Sequence, residues 1–175
     1  MAAAKKGIGI GSNQPGQGGK SMSAPESMQK LAGSWTGTSR LYRPWLSPQE
    51  SESVSTASVA LEARGKFITI RYTWSADGQP QEGVLLLGSD TDDAAQAVWI
   101  DSWHMSDKFM ICAGSISDAG LLDILGSYSA PPNPDWGWRI VIVHGEQGSF
   151  ELIMYNISPE GDESLAFKNR YERLM

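Results

Sequence analysis

From residue 32 onward, apolar and polar side chains alternate with a period of two, in runs of about ten residues. The clearest run sets Ile68, Ile70, Tyr72 and Trp74 against Thr69, Arg71 and Thr73. Such alternation places one set on a buried face of a strand and the other on the opposite face. The runs close on turn-forming residues: Arg64-Gly65, Asp77-Gly78, Gly145-Glu146-Gln147-Gly148 and Pro159-Glu160-Gly161-Asp162. Asp77-Gly78 is the strongest hairpin signal, because both residues tolerate positive φ. The pattern predicts ten strands, over 32–43, 51–63, 66–75, 80–88, 95–104, 107–116, 120–128, 136–144, 149–157 and 164–174. Pro44-Trp45-Leu46-Ser47-Pro48 and Pro131-Pro132-Asn133-Pro134 are too rich in proline for regular structure and read as loops.

No long segment past residue 33 carries a helical period, which excludes alternating β–α–β architecture. Sequential strands on short turns favour an all-β, up-and-down antiparallel barrel of about ten strands, whose closure removes exposed strand edges. A short helix is expected ahead of it. Ser23 fits an N-cap, Pro25 a first turn and Glu26 a capping-box position, with Met28 and Leu31 on one side. That length suits a plug over one barrel end. Residues 1–22 are rich in Gly, Ser, Gln and Ala and are expected to form a flexible tail, leaving 23–175 as a single barrel domain. Gly7-Ile8-Gly9-Ile10-Gly11 has neither a strand before it nor a helix after it, so it is not read as a nucleotide loop.

Composition narrows the function classes. No run approaches the roughly 18 apolar residues of a membrane helix, and the lysine-bearing N-terminus lacks the apolar stretch of a secretory signal. Cys112 is the single cysteine, which removes an internal disulfide framework and any cysteine-built metal site. These features predict a cytoplasmic protein. Lys5, Lys6 and Lys20 lie in the tail, so the 14 Lys and Arg less these three face 20 Asp and Glu over the remainder. A body that acidic is a poor partner for nucleic acid or for an anionic membrane surface.

Several segments resemble the DUF1579 family, small proteins of the calycin type related in shape to lipocalins, fatty-acid-binding proteins and nitrobindins. The resemblance runs over about residues 28–174. It is carried by Leu31-Ala32-Gly33-Ser34-Trp35-Thr36-Gly37, Tyr72-Thr73-Trp74, Trp99-Ile100-Asp101-Ser102, Asp135-Trp136-Gly137-Trp138-Arg139, Pro159-Glu160-Gly161 and Tyr171-Glu172-Arg173. It implies a calycin-like barrel and no settled activity. It also implies that Trp35 of the Gly-x-Trp element closes one barrel end under a basic side chain of the last strand, Arg170 or Arg173.

Seven Trp is high for 175 residues, and Trp99-Ile100-Asp101-Ser102-Trp103-His104 is the densest polar-aromatic segment. On one continuous strand Trp99, Asp101 and Trp103 share a face while His104 points away, which argues against a direct Asp101–His104 pair. Asp101 between two indoles reads as an interior anchor for a ligand; alternatively it bonds neighbouring backbone and the indoles fill the barrel. Arg139 shares a face with Val141 and Val143 and reads as an interior cation, of the kind that holds a carboxylate in fatty-acid-binding proteins. Arg71, among threonines, reads as outward. Trp136 and Trp138 share one face, and Tyr128, Tyr155 and Asn156 are further candidate hydrogen-bonding groups. His104 and His144 alone do not make a zinc site, and His144 beside Gly145 reads as solvent-facing, which disfavours haem. Neither a metal nor a cofactor is expected. No Gly-x-Ser-x-Gly elbow occurs, and Cys112 among apolar residues reads as an inert buried thiol.

The leading expectation is non-catalytic binding of a small, largely apolar molecule in the barrel interior. Trp74, Trp99 and Trp103 would be its walls, and Asp101 and Arg139 its polar anchors. One alternative is a barrel enzyme of isomerase or cyclase type with Asp101 or His104 as acid/base. Another is a filled barrel serving a structural or protein-interaction role. Pairing of two barrels into a homodimer is left open by the sequence.

Overall fold

The computed structural model describes residues 24–89, 94–117, 119–145 and 148–174. A four-residue helix, α1 (Glu26–Gln29), leads into ten strands: β1 (Gly33–Tyr42), β2 (Glu50–Glu62), β3 (Phe67–Ala76), β4 (Gln79–Gly88), β5 (Ala94–Asp101), β6 (Met110–Ile116), β7 (Leu122–Tyr128), β8 (Trp136–His144), β9 (Ser149–Ile157) and β10 (Glu163–Arg173). Each strand pairs antiparallel with its sequence neighbours, and β1 also pairs with β10 along Trp35–Arg173 to Leu41–Phe167, closing the barrel. A bulge between Leu165 and Phe167 shifts the β9–β10 register, so Ala166 and Phe167 are both buried.

The inward set follows the period of two. Ile68, Ile70, Tyr72 and Trp74 from β3 meet Leu85 and Leu87 from β4, Trp99 from β5, Trp138, Ile140 and Ile142 from β8, and Phe150, Leu152 and Met154 from β9. Below the level of Asp101 the lumen is filled by side chains: Trp35, Phe150, Tyr171, Tyr72 and Phe167 are each at most 1% exposed. The edge of the Trp35 indole meets Phe150 at 4.8 Å, and Phe150 lies 4.8 Å from Tyr171. Among these rings run polar links: Ser55 Oγ bonds both the Thr73 carbonyl (2.6 Å) and Tyr171 Oη (2.8 Å), and Asn169 Nδ2 donates to the same hydroxyl at 2.6 Å.

α1 and the turn after it seal one end through Met28 and Leu31, both buried. Pro25 occupies its cap position with no side-chain capping bond, and Glu26 instead faces Lys30 at 3.6 Å. Ser23, expected as the cap, and the expected tail lie outside the described residues. At this end Trp35 donates from Nε1 to the Leu31 carbonyl (2.9 Å). Arg173 lies over the indole, 4.3 Å from its centroid, and donates to the Ala32 and Lys30 carbonyls at 2.8 and 2.7 Å. Arg170 does not take part: it sits one face away, exposed. His144, expected to face solvent, is half-buried near Gly120, and burial together with the Lys30 charge lowers its pKa.

At the other end the β1–β2 loop is held to the β3–β4 turn by Arg43, which forks onto both oxygens of Asp77 at 2.8 and 2.9 Å. Asp77 and Gly78 both have positive φ, as the hairpin signal requires. Here the barrel carries the 102–109 loop instead of a helix.

Candidate functional site

β5 ends at Asp101, three residues earlier than its alternation suggests. The chain then folds back in a turn, with the Met105 amide bonded to the Asp101 carbonyl (3.0 Å). Asp101 Oδ1 accepts the amides of Trp103 (3.0 Å) and His104 (2.9 Å), as a cap residue does at the start of a helical turn. This fold-back overturns the expectation that Asp101 and His104 point apart. His104 Nδ1 lies 2.9 Å from Asp101 Oδ1. Strand alternation does not extend through a turn, and the turn swings His104 back over the carboxylate.

The other oxygen of Asp101 accepts Tyr72 Oη (2.9 Å) and, at 3.3 Å, Trp74 Nε1, while Tyr72 Oη accepts Trp99 Nε1 at 2.9 Å. Burial by itself would raise the Asp101 pKa. The hydrogen bond and charge of His104, its backbone amide and the Tyr72 hydroxyl outweigh burial and leave the carboxyl below its ordinary value. Burial and the adjacent Asp101 charge push the Tyr72 phenol well up. An ionised Asp101 only accepts hydrogen bonds, so the proton between the two side chains sits on His104 Nδ1. That leaves Nε2 on the far edge of the ring.

His104 is enclosed by rings: Trp103 at 4.7 Å, Trp138 at 5.2 Å, Trp74 at 5.3 Å, Phe167 at 5.6 Å and Trp99 at 5.9 Å between centroids. Trp99 and Trp138 stack at 5.2 Å and 12°. Above them, between the 102–109 loop and β7–β8, opens a cavity of about 620 Å³. Its walls are Trp99, Trp103, Met105, Phe109, Met110 and Trp138; Tyr128, whose hydroxyl donates to Asn156 Oδ1 at 2.9 Å, completes the far side.

The expected site residues divide accordingly. Trp99 and Trp103 line the cavity, but Trp103 stands at its mouth, 38% exposed, because the strand that would have turned it inward has ended. Trp74 and Asp101 lie behind His104 and do not line it. Arg139 is not an interior cation. β8 is apolar on both faces, so alternation alone left its sense open; Trp138, Ile140 and Ile142 take the inside. Arg139 stays outside, bonded to Asp123 at 2.6 and 2.7 Å and to Glu163 at 3.0 and 3.2 Å, with its guanidinium 5.9 Å from the Tyr155 ring. Trp138, Met105, Phe109 and Met110 are cavity residues that the sequence does not mark: Met105 sits in a loop, which carries no period, and Phe109 falls in the expected 107–116 strand, whose first three residues belong to the loop instead. Cys112 is fully buried, and burial raises its thiol to about 11.

A family model described as "Protein of unknown function (DUF1579)" matches residues 21–173. The chain belongs to the DUF1579 family. None of the curated proteins matches it. Two solved structures share the shape of this DUF1579 protein. Rv2717c from M. tuberculosis is 16% identical, with TM-score 0.61 over 86% of this chain and 98% of its own. The S-type phycobiliprotein lyase CPES from Guillardia theta is 12% identical, with TM-score 0.54 over 89% of this chain and 94% of its own. At such identities the likeness establishes the fold. Among the described residues no helix is long and apolar enough to cross a membrane, and no cluster of three or more His, Cys, Asp or Glu is placed to hold a metal.

Proposed function

We propose that this DUF1579 protein binds a small, flat, largely apolar molecule at the open end of its barrel, without chemical change to it. The observation that carries this reading is the cavity of about 620 Å³ walled by three indoles, a phenyl ring and two thioethers. Its volume falls within the roughly 300–1,000 Å³ of small-molecule sites, and its indole, phenyl and thioether walls supply the apolar surface such sites use, while Asp107, Lys108, Asn156 and three serines add polar groups to the lining. The position differs from the expected one: the lumen is filled, so the ligand sits on the Trp99–Trp138 stack and not in the barrel centre. A related barrel serves as a phycobiliprotein lyase in Guillardia theta, which accords with a working site on this shape.

Titration with the neutral dye N-phenyl-1-naphthylamine tests the reading. Saturable dye fluorescence with quenching of protein tryptophan is expected, and Trp103→Ala, which removes a wall at the cavity mouth, should weaken the binding by about fivefold or more. Lack of saturable binding, or binding untouched by Trp103→Ala, overturns it.

One observation favours a second reading, a barrel isomerase or cyclase: His104 lies at the cavity floor with Asp101 bonded behind it. His104 would then exchange protons with the substrate, and Asp101 would hold the ring in place. Deuterium uptake from D₂O into cavity-bound carbonyl compounds, lost in His104→Asn, would favour this reading; its absence across compounds that bind excludes it.

A further inference from the structure

Two nitrogen atoms at the cavity floor lack hydrogen-bond partners among the described residues: His104 Nε2 and Trp138 Nε1. Their side chains are buried, with His104 at 8% exposure and Trp138 at 4%, and both residues line the cavity. Their rings lie 5.2 Å apart between centroids. The polar groups packed beside them are engaged: Asp101 takes the opposite edge of His104, Trp99 Nε1 is held by Tyr72, and Tyr128 by Asn156, while Ser106, Asp107, Lys108 and Ser127 line the cavity farther out. A buried donor or acceptor left unpaired destabilises the fold, so two at one cavity floor point to a group that completes them.

Their chemistry specifies that group. The indole Nε1–H only donates. In its neutral form His104, with its proton held at Nδ1 by Asp101, presents a bare Nε2 that accepts. One atom satisfies both requirements when it is a hydroxyl oxygen: its lone pair takes the indole proton and its own hydrogen goes to Nε2. If that hydrogen transfers to Nε2, the result is an oxyanion against an imidazolium, which Asp101 stabilises from behind, and the indole bond to the oxygen persists. The site therefore suits a hydroxyl that can share or give up its proton. A neutral ether or ester oxygen satisfies Trp138 and leaves His104 unpaired.

We infer that the ligand of this cavity is an aromatic or polyene-like molecule bearing an acidic hydroxyl (a carboxylic acid, an enol or a phenol), seated between His104 Nε2 and Trp138 Nε1. This rests on the cavity being the binding site. Asp101 is then a positioning residue that fixes which edge of His104 is free.

Two probe pairs test it: 2-naphthoic acid against methyl 2-naphthoate, and 2-naphthol against 2-methoxynaphthalene, each titrated by fluorescence. The free acid or phenol is expected to bind at least tenfold tighter than its methylated partner in at least one pair, because methylation leaves a buried acceptor unpaired. Trp138→Phe and His104→Phe should each reduce that ratio to about threefold or less, with native circular dichroism and cooperative urea unfolding reporting an intact barrel. Should His104→Phe fail to fold, Trp138→Phe carries the test alone. Equal binding within both pairs, or a preference unchanged in Trp138→Phe, overturns the inference and leaves the cavity reading standing. If no naphthalene probe and no dye binds, the cavity reading falls and this inference with it.

Discussion

The Asp101 carboxylate holds His104 Nδ1 at 2.9 Å across a turn of three residues, and this contact turns the unbound edge of the imidazole away from Asp101. The same carboxylate gathers a phenol, an indole and two backbone amides, so one buried charge organises the floor of the cavity and the start of the 102–109 loop.

Replacing Asp101 by Asn keeps the shape but exchanges an all-acceptor group for one that is half donor. Urea denaturation at pH 7 should show a loss of about 2–3 kcal/mol, since hydrogen bonds to a buried charge are the strong ones. The sign of the pH effect follows from the lowered Asp101 pKa. A carboxyl whose folded pKa is depressed contributes stability above the unfolded value of about 4 and loses it as pH falls through the folded one. The gap between wild type and Asp101→Asn should thus be constant from neutral pH to about 5 and shrink below about 4. In ¹⁵N-resolved spectra of the wild type, the neutral His104 ring should carry its proton on Nδ1, and Asp101→Asn should lose that preference.

How far the sequence reached can be judged strand by strand. β8 and β9 were predicted with the bounds Trp136–His144 and Ser149–Ile157 that the structure shows, because turn residues bracket them on both sides. β5 was drawn to residue 104 because Trp99, Asp101 and Trp103 continue its alternation. The competing signal lies in the residue type: an Asp side chain can cap the amides two and three residues on, and that capping ends the strand here. That single turn decides the site, since it joins Asp101 to His104 and moves Trp103 to the mouth. Arg139 was lost for another reason. Ile140 and Val141 are both buried, so hydrophobicity does not say which face of β8 looks inward, and the partners Asp123 and Glu163 come from distant positions in the chain.

Closure of the helix end rests on Trp35, 1% exposed, and Arg173 above it. Trp35→Ala should cost roughly 3–5 kcal/mol in thermal or urea denaturation, the range for deleting a fully buried aromatic. Arg173→Ala forfeits a cation–π contact of about 0.5–2 kcal/mol. Arg173→Lys should fall between Arg173→Ala and wild type, because an ammonium keeps the charge but lacks the fork that reaches both carbonyls. Exposed Arg170→Ala should shift stability by less than about 0.5 kcal/mol.

Cys112 gives a probe of opening that leaves the site untouched. Its thiol is fully buried and raised to about 11 by that burial, so the reactive thiolate is scarce and shielded near neutral pH. At pH 8 Ellman's reagent should react with native protein far more slowly than with protein in urea, where one thiol per chain appears. Rapid native labelling would mean that the β5–β7 wall opens readily.

The β1–β10 seam depends on close backbone approach at Gly37, which pairs with Tyr171 on one side and Ser55 on the other. A Cβ at Gly37 would run into the backbone carbonyl of Arg170, which has no rotamer through which to give way. Gly37→Ala should therefore destabilise by roughly 1–3 kcal/mol, the cost of overpacking a site that cannot relax. The loss should be local to the seam: amide exchange should quicken along β1 and β10, where the two strands close the barrel, and stay slow in β7–β8. Uniform acceleration across all strands would show instead that the seam and the opposite wall unfold as one unit.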